Sequence, residues 1–302
     1  MRLLGIGDNV VDRYRQLGRM FPGGQALNVA VAARRAGAVA GYLGALGTDV
    51  AGRLVLDALR TEGLDVERLR IVEGPNAYAE VQLVDGNRVF VGSSTGVSRF
   101  SLTREDLAYA SSFDVAHSSE SSFLEAQIPA LAGHVPVCFD FSTRRDPAYL
   151  EALLPHLAVA CFSASNLDEE ETDALLRHAL ARGPQIAFAT RGEADVLLRD
   201  RDGLWRQPVT RVEALDTLGA GDAFTGRFLV GAFSGEPRGV SLLAAAEVAA
   251  RTCETYGAFG HGGPIESEEE DQLEVMRAGV SQLEVGVAEG PSRGERQSLE
   301  RE

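Results

Sequence analysis

The sequence predicts an α/β fold: a mostly parallel central sheet with helices on both faces and a small added β lid. Three observations predict it. From about Asp114, short apolar runs alternate with helical patterns, the rhythm of a parallel sheet. Turn-forming and acidic residues then follow the strands, as in Gly7-Asp8-Asn9, Asp140, Ser163 to Asn166 and Thr190-Arg191-Gly192. Ligands gather beyond such strand ends. Finally, 302 residues with 45% hydrophobic content suffice for one large domain.

The elements read in order. Leu3 to Ile6 is a short apolar strand ending at Gly7-Asp8-Asn9. Gly23-Gly24 precedes a helix from Gln25 to Gly37, with Leu27, Val29, Ala30, Val31, Ala33 and Ala36 as its apolar positions. Gly41 to Leu46 predicts a second strand, and Gly52 to Thr61 a second helix before Gly63. Val81 and Leu83 alternate with polar residues, and Asp85-Gly86-Asn87 turns the chain toward Val89, Phe90 and Val91. That is a hairpin signal out of step with the later alternation, and it predicts a β element over the site. Further strands are expected at Val115 to His117, Val135 to Phe139, Val159 to Phe162, Ile186 to Ala189 and Val196 to Leu198. After Gly263-Pro264 the composition turns acidic through Glu266, Glu268, Glu269, Glu270 and Asp271. Residues 264–302 are expected to be a disordered tail, with a weak helix between Val275 and Val287.

Composition excludes several function classes. The net charge is −15, which disfavours nucleic acid as a partner. No stretch is long and apolar enough to span a bilayer. Met1 to Asp8 reaches an acid too soon for a signal peptide, so a cytoplasmic location is expected. Cys138, Cys161 and Cys253 have neither metal-ligand spacing nor the even number of a disulfide framework. The five histidines share no ligand spacing. All 29 basic residues are arginines. Without lysine there is no Walker A loop, no protein-kinase strand lysine and no pyridoxal Schiff base. Any phosphate must be held by backbone N–H groups, arginine, polar side chains and a metal ion.

The most informative stretch is Asp216-Thr217-Leu218-Gly219-Ala220-Gly221-Asp222-Ala223-Phe224. Phe224, Phe228, Leu229, Ala232 and Phe233 recur at helical spacing, so Gly219 to Asp222 are expected to form a helix's first turn. Backbone N–H groups there lack intrahelical partners, and the helix's positive end favours an anion such as a phosphoryl group. An aspartate beside that anion can take a proton from an attacking hydroxyl. As an acid at a helix N-terminus, Asp222 is expected to be ionised at neutral pH. The bland alternative is an ordinary Gly-rich helix start with a capping acid.

Three further signals join it: Gly7-Asp8-Asn9 with Asp12, Pro22-Gly23-Gly24 with Asn28, and Asn166 with Glu169 as N-x-x-E. Their order and spacing resemble those of the ribokinase-like (PfkB) carbohydrate kinase family over roughly residues 1–263. Within it the chain is most similar to the fructosamine kinases, through Ile6 to Asp12, Pro22 to Val31, Asp85 to Phe90, Phe139 to Ser142, Leu204 to Gln207 and Thr255 to Phe259. The resemblance implies a kinase domain over 1–263 with a lid from about 10–22 and 75–100. It implies ATP and Mg²⁺ as cofactors, a small-molecule sugar as substrate and a homodimer through the lid. Asp222 resembles the general base, and the backbone of Gly219, Ala220 and Gly221 the anion hole for the moving γ-phosphoryl group. Asp12, Gly23, Gly24 and Asn28 resemble the sugar contacts, joined by Asp8 and Asn9. Asn166 resembles a phosphate-organising residue, and Glu169 a magnesium ligand through water. Thr190 and Gly192 resemble the nucleotide-phosphate loop, and Gly257 and Ala258 the adenine end.

Three departures stand out. Glu193-Ala194-Asp195 follows Gly192 where the family often has another glycine. Leu218 offers no hydroxyl for a monovalent cation. The stretch between Asp12 and Gly23 is short, implying a reduced lid. The implied activity is transfer of the γ-phosphoryl group of ATP to a primary hydroxyl, O6 of a fructosamine such as fructoselysine. Ribokinase or fructokinase activity on a plain sugar, and a non-catalytic sugar-binding regulator, are the alternatives.

Overall fold

The structure, a computed structural model, describes residues 1–84 and 87–265, the side chains of 83–90 excepted. The expected tail beyond Ile265 and the turn at Asp85-Gly86 lie outside the described residues. The first half of the chain runs β1 (Arg2–Ile6), β2 (Val10–Tyr14), β3 (Arg19–Gly23), α1 (Gln25–Arg35), β4 (Val39–Leu43), β5 (Ala45–Leu46), α2 (Val50–Glu62), β6 (Arg70–Ile71), β7 (Tyr78–Val84), β8 (Asn87–Ser94), α3 (Arg104–Ala110) and β9 (Val115–Ser119). It continues through α4 (Ile128–Ala132), β10 (Val137–Asp140), α5 (Pro147–Leu153), β11 (Val159–Ser163), α6 (Glu169–Leu180), β12 (Ile186–Arg191), β13 (Ala194–Asp200) and β14 (Gly203–Gln207). Helices α7 (Ala220–Phe233) and α8 (Arg238–Thr252) and strand β15 (Gly263–Pro264) follow.

The main sheet has eight strands in the order β14-β13-β12-β11-β10-β9-β1-β4. Neighbours from β12 to β4 pair in parallel, and only β13 and β14 run antiparallel. The central strands are apolar along their whole length because both faces are covered. One face packs on α1, α7 and α8 through a core that includes Val29, Phe188, Phe224 and Phe228. The other packs through Leu4, Phe139, Phe162 and Leu176. Phe188 meets Phe224 and Phe228 at centroid distances of 5.6 and 5.2 Å, which locks α7 onto β12.

A second sheet of five strands, β15-β3-β2-β7-β8, stands beside the strand ends that carry Asp8. Residues 10–23 form two strands of a hairpin, paired from Val10 with Gly23 to Tyr14 with Arg19. Two sequence expectations change. The strand expected over Gly41–Leu46 breaks at Gly44, because β5 leaves the main sheet to pair with β6. Strand β14 was not expected; its residues are mostly half-buried, so they present no apolar run, and β13 holds them by pairing.

Candidate active site

Three cavities meet at the start of α7. A cleft of about 680 Å³ is lined by Thr190, Gly192, Ala220 and Gly221, with apolar walls from Val209, Val212 and Ala249. A pocket of about 360 Å³ lies toward the five-stranded sheet and is lined by Asp8, Asn9, Asp12, Gly24, Asn28 and Asp222. Between them sits a cavity of about 150 Å³. It shares Thr190 and Gly221 with the first and Asp222 with the second, and adds Asp140 and Gly219.

Gly219, expected as the first residue of the helix's first turn, is instead the N-cap of α7, which starts one residue later, and has φ 73°. A side chain there would be strained and would run into Ala258. The first intrahelical bond is Ala223 N–H to Gly219 C=O, 2.8 Å. The preceding N–H groups thus lack helical acceptors. That of Ala220 reaches Thr217 C=O at a long 3.4 Å. Asp216 closes the preceding turn. It accepts from Leu218 N–H at 3.0 Å, Gly257 N–H at 2.9 Å and Tyr14 O–H at 2.6 Å.

Asp222 is buried, and Asn28 Nδ2 donates to it at 2.8 Å. Burial, then the charges of Asp140, Asp8 and Asp12, raise its pKa to about 7 against the Asn28 bond. The expectation of a fully ionised Asp222 is therefore corrected: loss of hydration outweighs the helix end. Asp140, at the end of β10, is raised to about 6, mainly by burial. Its carboxylate accepts from Ser142 N–H at 2.7 Å.

Asp8 caps α1, accepting from Gln25 N–H at 2.7 Å and Ala26 N–H at 3.2 Å. Ser122 and Ser119 hydroxyls also donate to it, at 2.8 and 3.1 Å. Asn9 is fully buried and donates to Ala45 C=O and Tyr42 Oη. Both residues therefore build the pocket wall through bonds within the protein. Gly24 has φ 112°, and a Cβ there would meet the Asn9 backbone. Gly23 lies outside the lining but leaves room for the Asp12 carboxylate. Among the buried polar atoms, Asn9 Oδ1, Gln25 Oε1 and Asn28 Oδ1 have no hydrogen-bond partner, which suits a ligand bearing hydroxyls.

The other expected residues fall elsewhere. Asn166 and Glu169 are exposed and are not among the described residues lining these cavities. Asn166 Oδ1 accepts from both Arg145 terminal nitrogens at 3.2 Å. Arg206 takes Oε1 of Glu169 at 2.8 and 2.5 Å, leaving Oε2 for a water or a cation. Gly257 and Ala258 do not line the cleft of Thr190 and Gly192. They buttress the Asp216–Gly219 turn, and Ala258 lines a further cavity that shares Gly219 with the small cavity and Asn28 with the acceptor pocket. Asp140, Gln25 and Glu120 line these cavities without a role expected from the sequence. The position of Asp140 at a strand's C-terminal end was the available signal.

A buried acid at a helix start, between an apolar-walled cleft and a polar pocket, is the arrangement of a small-molecule phosphotransferase. The chain belongs to the pfkB family of carbohydrate kinases, whose profile matches residues 8–260. It is 39% identical to fructosamine kinase FrlD of Bacillus subtilis, over 92% of this chain and 99% of that protein. It is 34% identical to fructoselysine 6-kinase of Escherichia coli, over 85% of this chain and 99% of that protein. The fold matches Arabidopsis thaliana ribokinase, solved with ribose and ATP, at a TM-score of 0.75 and 18% identity, covering 91% of this chain and 98% of that one. The protein is thus a sugar kinase of ribokinase-like fold, with ATP and a sugar as its substrates and a divalent metal as the family's usual requirement. Among the described residues no helix is long and apolar enough to cross a membrane.

Proposed function

We propose that this kinase transfers the γ-phosphoryl group of ATP to O6 of a fructosamine such as fructoselysine. The observation that carries this reading is Asp222, buried and shared by the acceptor pocket and the cavity behind it. The acceptor lies against Asp12, Gly24 and Asn28 with its primary hydroxyl at Asp222. ATP lies in the cleft of Thr190 and Gly192, with the γ-phosphoryl group at the amides of Gly219, Ala220 and Gly221. Asp222 takes the hydroxyl proton as the O6–P bond forms and the bond from phosphorus to the β,γ-bridging oxygen breaks, so ADP leaves with that electron pair. Alignment and charge stabilisation do most of the work in such a transfer. Glu169, whose Oε2 accepts no hydrogen bond among the described residues, would hold Mg²⁺ through a bound water, and the ion would neutralise phosphate charge. Asn166 and Arg145 form the neighbouring polar pair. The five-stranded sheet serves as the lid that keeps water from the phosphoryl group.

The reading also places the enzyme in the cytoplasm as a homodimer through the lid. Strand β8 is an edge of that sheet and can pair with a second copy, a point that light scattering decides. The substrate is tested by ADP release across fructoselysine, other fructosamines, fructose, ribose and adenosine. Fructoselysine is expected to give the highest kcat/KM; a higher value for fructose would favour a plain-sugar kinase. That second reading has support in a fructokinase from Klebsiella pneumoniae, 30% identical over 89% of this chain. No ADP release with any acceptor would leave the binding-only regulator.

A base with a pKa near 7 sets the pH profile. With saturating MgATP, kcat/KM for the sugar is expected to rise about tenfold per pH unit below 7 and to level above it. A flat profile between pH 5.5 and 8 would remove Asp222 as the base.

A further inference from the structure

Four carboxylates, those of Asp8, Asp12, Glu120 and Asp222, line the acceptor pocket, and no Arg or His is among the described residues that line it. An anionic acceptor would be repelled there, and a cationic one attracted. Three of the four acids already have local work. Asp8 caps α1, Asp222 takes Asn28, and Asp12 is 2% exposed against Gly23. Glu120 differs. It starts a short 3-10 turn, Glu120–Ser122, that follows β9 and is pinned to Asp8 through Ser119 and Ser122. Its carboxylate interacts with the Ser121 side chain but is in no ion pair among the described residues. The arginine whose charge reaches it, Arg144, pairs with Asp146 and Glu125. Burial pushes the Glu120 carboxyl up, a cost that a cation would relieve.

The position is as telling as the charge. Glu120, Ser121 and Phe123 line the acceptor pocket and are absent from the lining of the cavity that holds Asp222 and Asp140, although the Glu120 charge reaches Asp140. Phe123 is 45% exposed and adopts φ 56°, a left-handed conformation that is costly for a bulky residue. The guanidinium of Arg99 lies 3.8 Å from the centre of its ring. Arg99 also has no acid partner among the described residues. A substrate entering with its C6 end at Asp222 leaves its C1 substituent on this side.

We propose that Glu120, Phe123 and Arg99 form a subsite for the C1 substituent of an amine-bearing ketose. Glu120 accepts an N–H of the cationic secondary amine. The Phe123 ring covers the alkyl chain beyond it, and Arg99 faces a carboxylate at the chain's end. This rests on the fructosamine reading above and names what distinguishes that acceptor from a plain ketose.

The test is a ratio: kcat/KM for fructoselysine divided by kcat/KM for fructose, in the wild type, Glu120→Gln and Glu120→Ala. Both variants are expected to lower the ratio by about tenfold or more, the scale of one hydrogen bond to a charged group. Thermal melting confirms that each is folded, and Glu120→Asp is expected to restore part of the ratio. Arg99→Ala is expected to erase only the advantage of fructoselysine over the fructosamine of a simple alkylamine without a carboxylate. A wild type that prefers fructoselysine, with a ratio unmoved in both Glu120 variants, overturns the subsite alone. A wild type that ignores fructoselysine overturns the acceptor reading and the subsite together.

Discussion

Asp222→Asn is expected to lower kcat by about 10²–10⁴-fold, the usual scale of general-base help. Fructoselysine binding, measured without ATP, is expected to change only a few-fold, since the amide oxygen still accepts the 2.8 Å bond from Asn28. Stability is expected to move the other way. The folded-state pKa of Asp222 is about 7, against 3.8 ordinarily. Below the ordinary value both folded and unfolded chains are protonated. As pH rises the unfolded chain ionises first, so this group's contribution turns against the folded state through the window from about 4 to about 7. Asparagine carries no such cost, and the variant's Tm at pH 7.5 is expected to exceed that of the wild type by a few degrees. Calorimetry with a coupled assay checks both halves. Turnover near the wild-type rate would refute the base, and a lower Tm would refute the burial argument.

Gly219→Ala is the second large effect. The new methyl group meets Ala258, and φ 73° strains any residue with a Cβ. The turn must shift, and with it the amides of Gly219 to Gly221 that the proposal sets against the moving phosphate. Loss of one such donor commonly costs about 10²–10³ in kcat. The expectation is therefore a kcat at least 100-fold down with a much smaller change in KM for the sugar, and a lower Tm. Wild-type kcat in a folded Gly219→Ala protein would show that the main-chain cradle is not needed. The contrast with Asp222→Asn is informative: both remove turnover, but the two variants move Tm in opposite directions.

Much of the site was legible because its signals are local. The helix start at Gly219 shows in consecutive residues, with apolar positions repeating behind it. The strand-end acids Asp8 and Asp140 show because each apolar run stops abruptly. What stayed hidden depends on residues far apart in the chain. Asp216 accepts from Tyr14, 202 positions away, and no spacing rule links them. Arg206 reaches Glu169 across 37 positions, so an acid-rich helix start gave no hint of its partner. Glu120 sits in a three-residue turn with no periodicity at all. The motif sets Gly257 and Ala258 near the adenine end; in the fold Gly257 N–H also donates to Asp216 and Ala258 packs on Gly219, contacts that no spacing rule reveals.

By itself the sequence determined the α/β alternation, the Gly-rich helix start with its orphan amides and the absence of lysine from any phosphate site. These follow from short-range rules: hydrophobic period, orphan amides at a helix end, and composition. Only the tertiary structure decided the proton affinity of Asp222, the division into cleft, cavity and pocket, and the lack of an ion pair at Glu120 among the described residues. Each depends on which charges and dipoles folding brings within a few ångströms, and on how much water it removes. Burial and field are properties of the assembled chain, not of any segment of it.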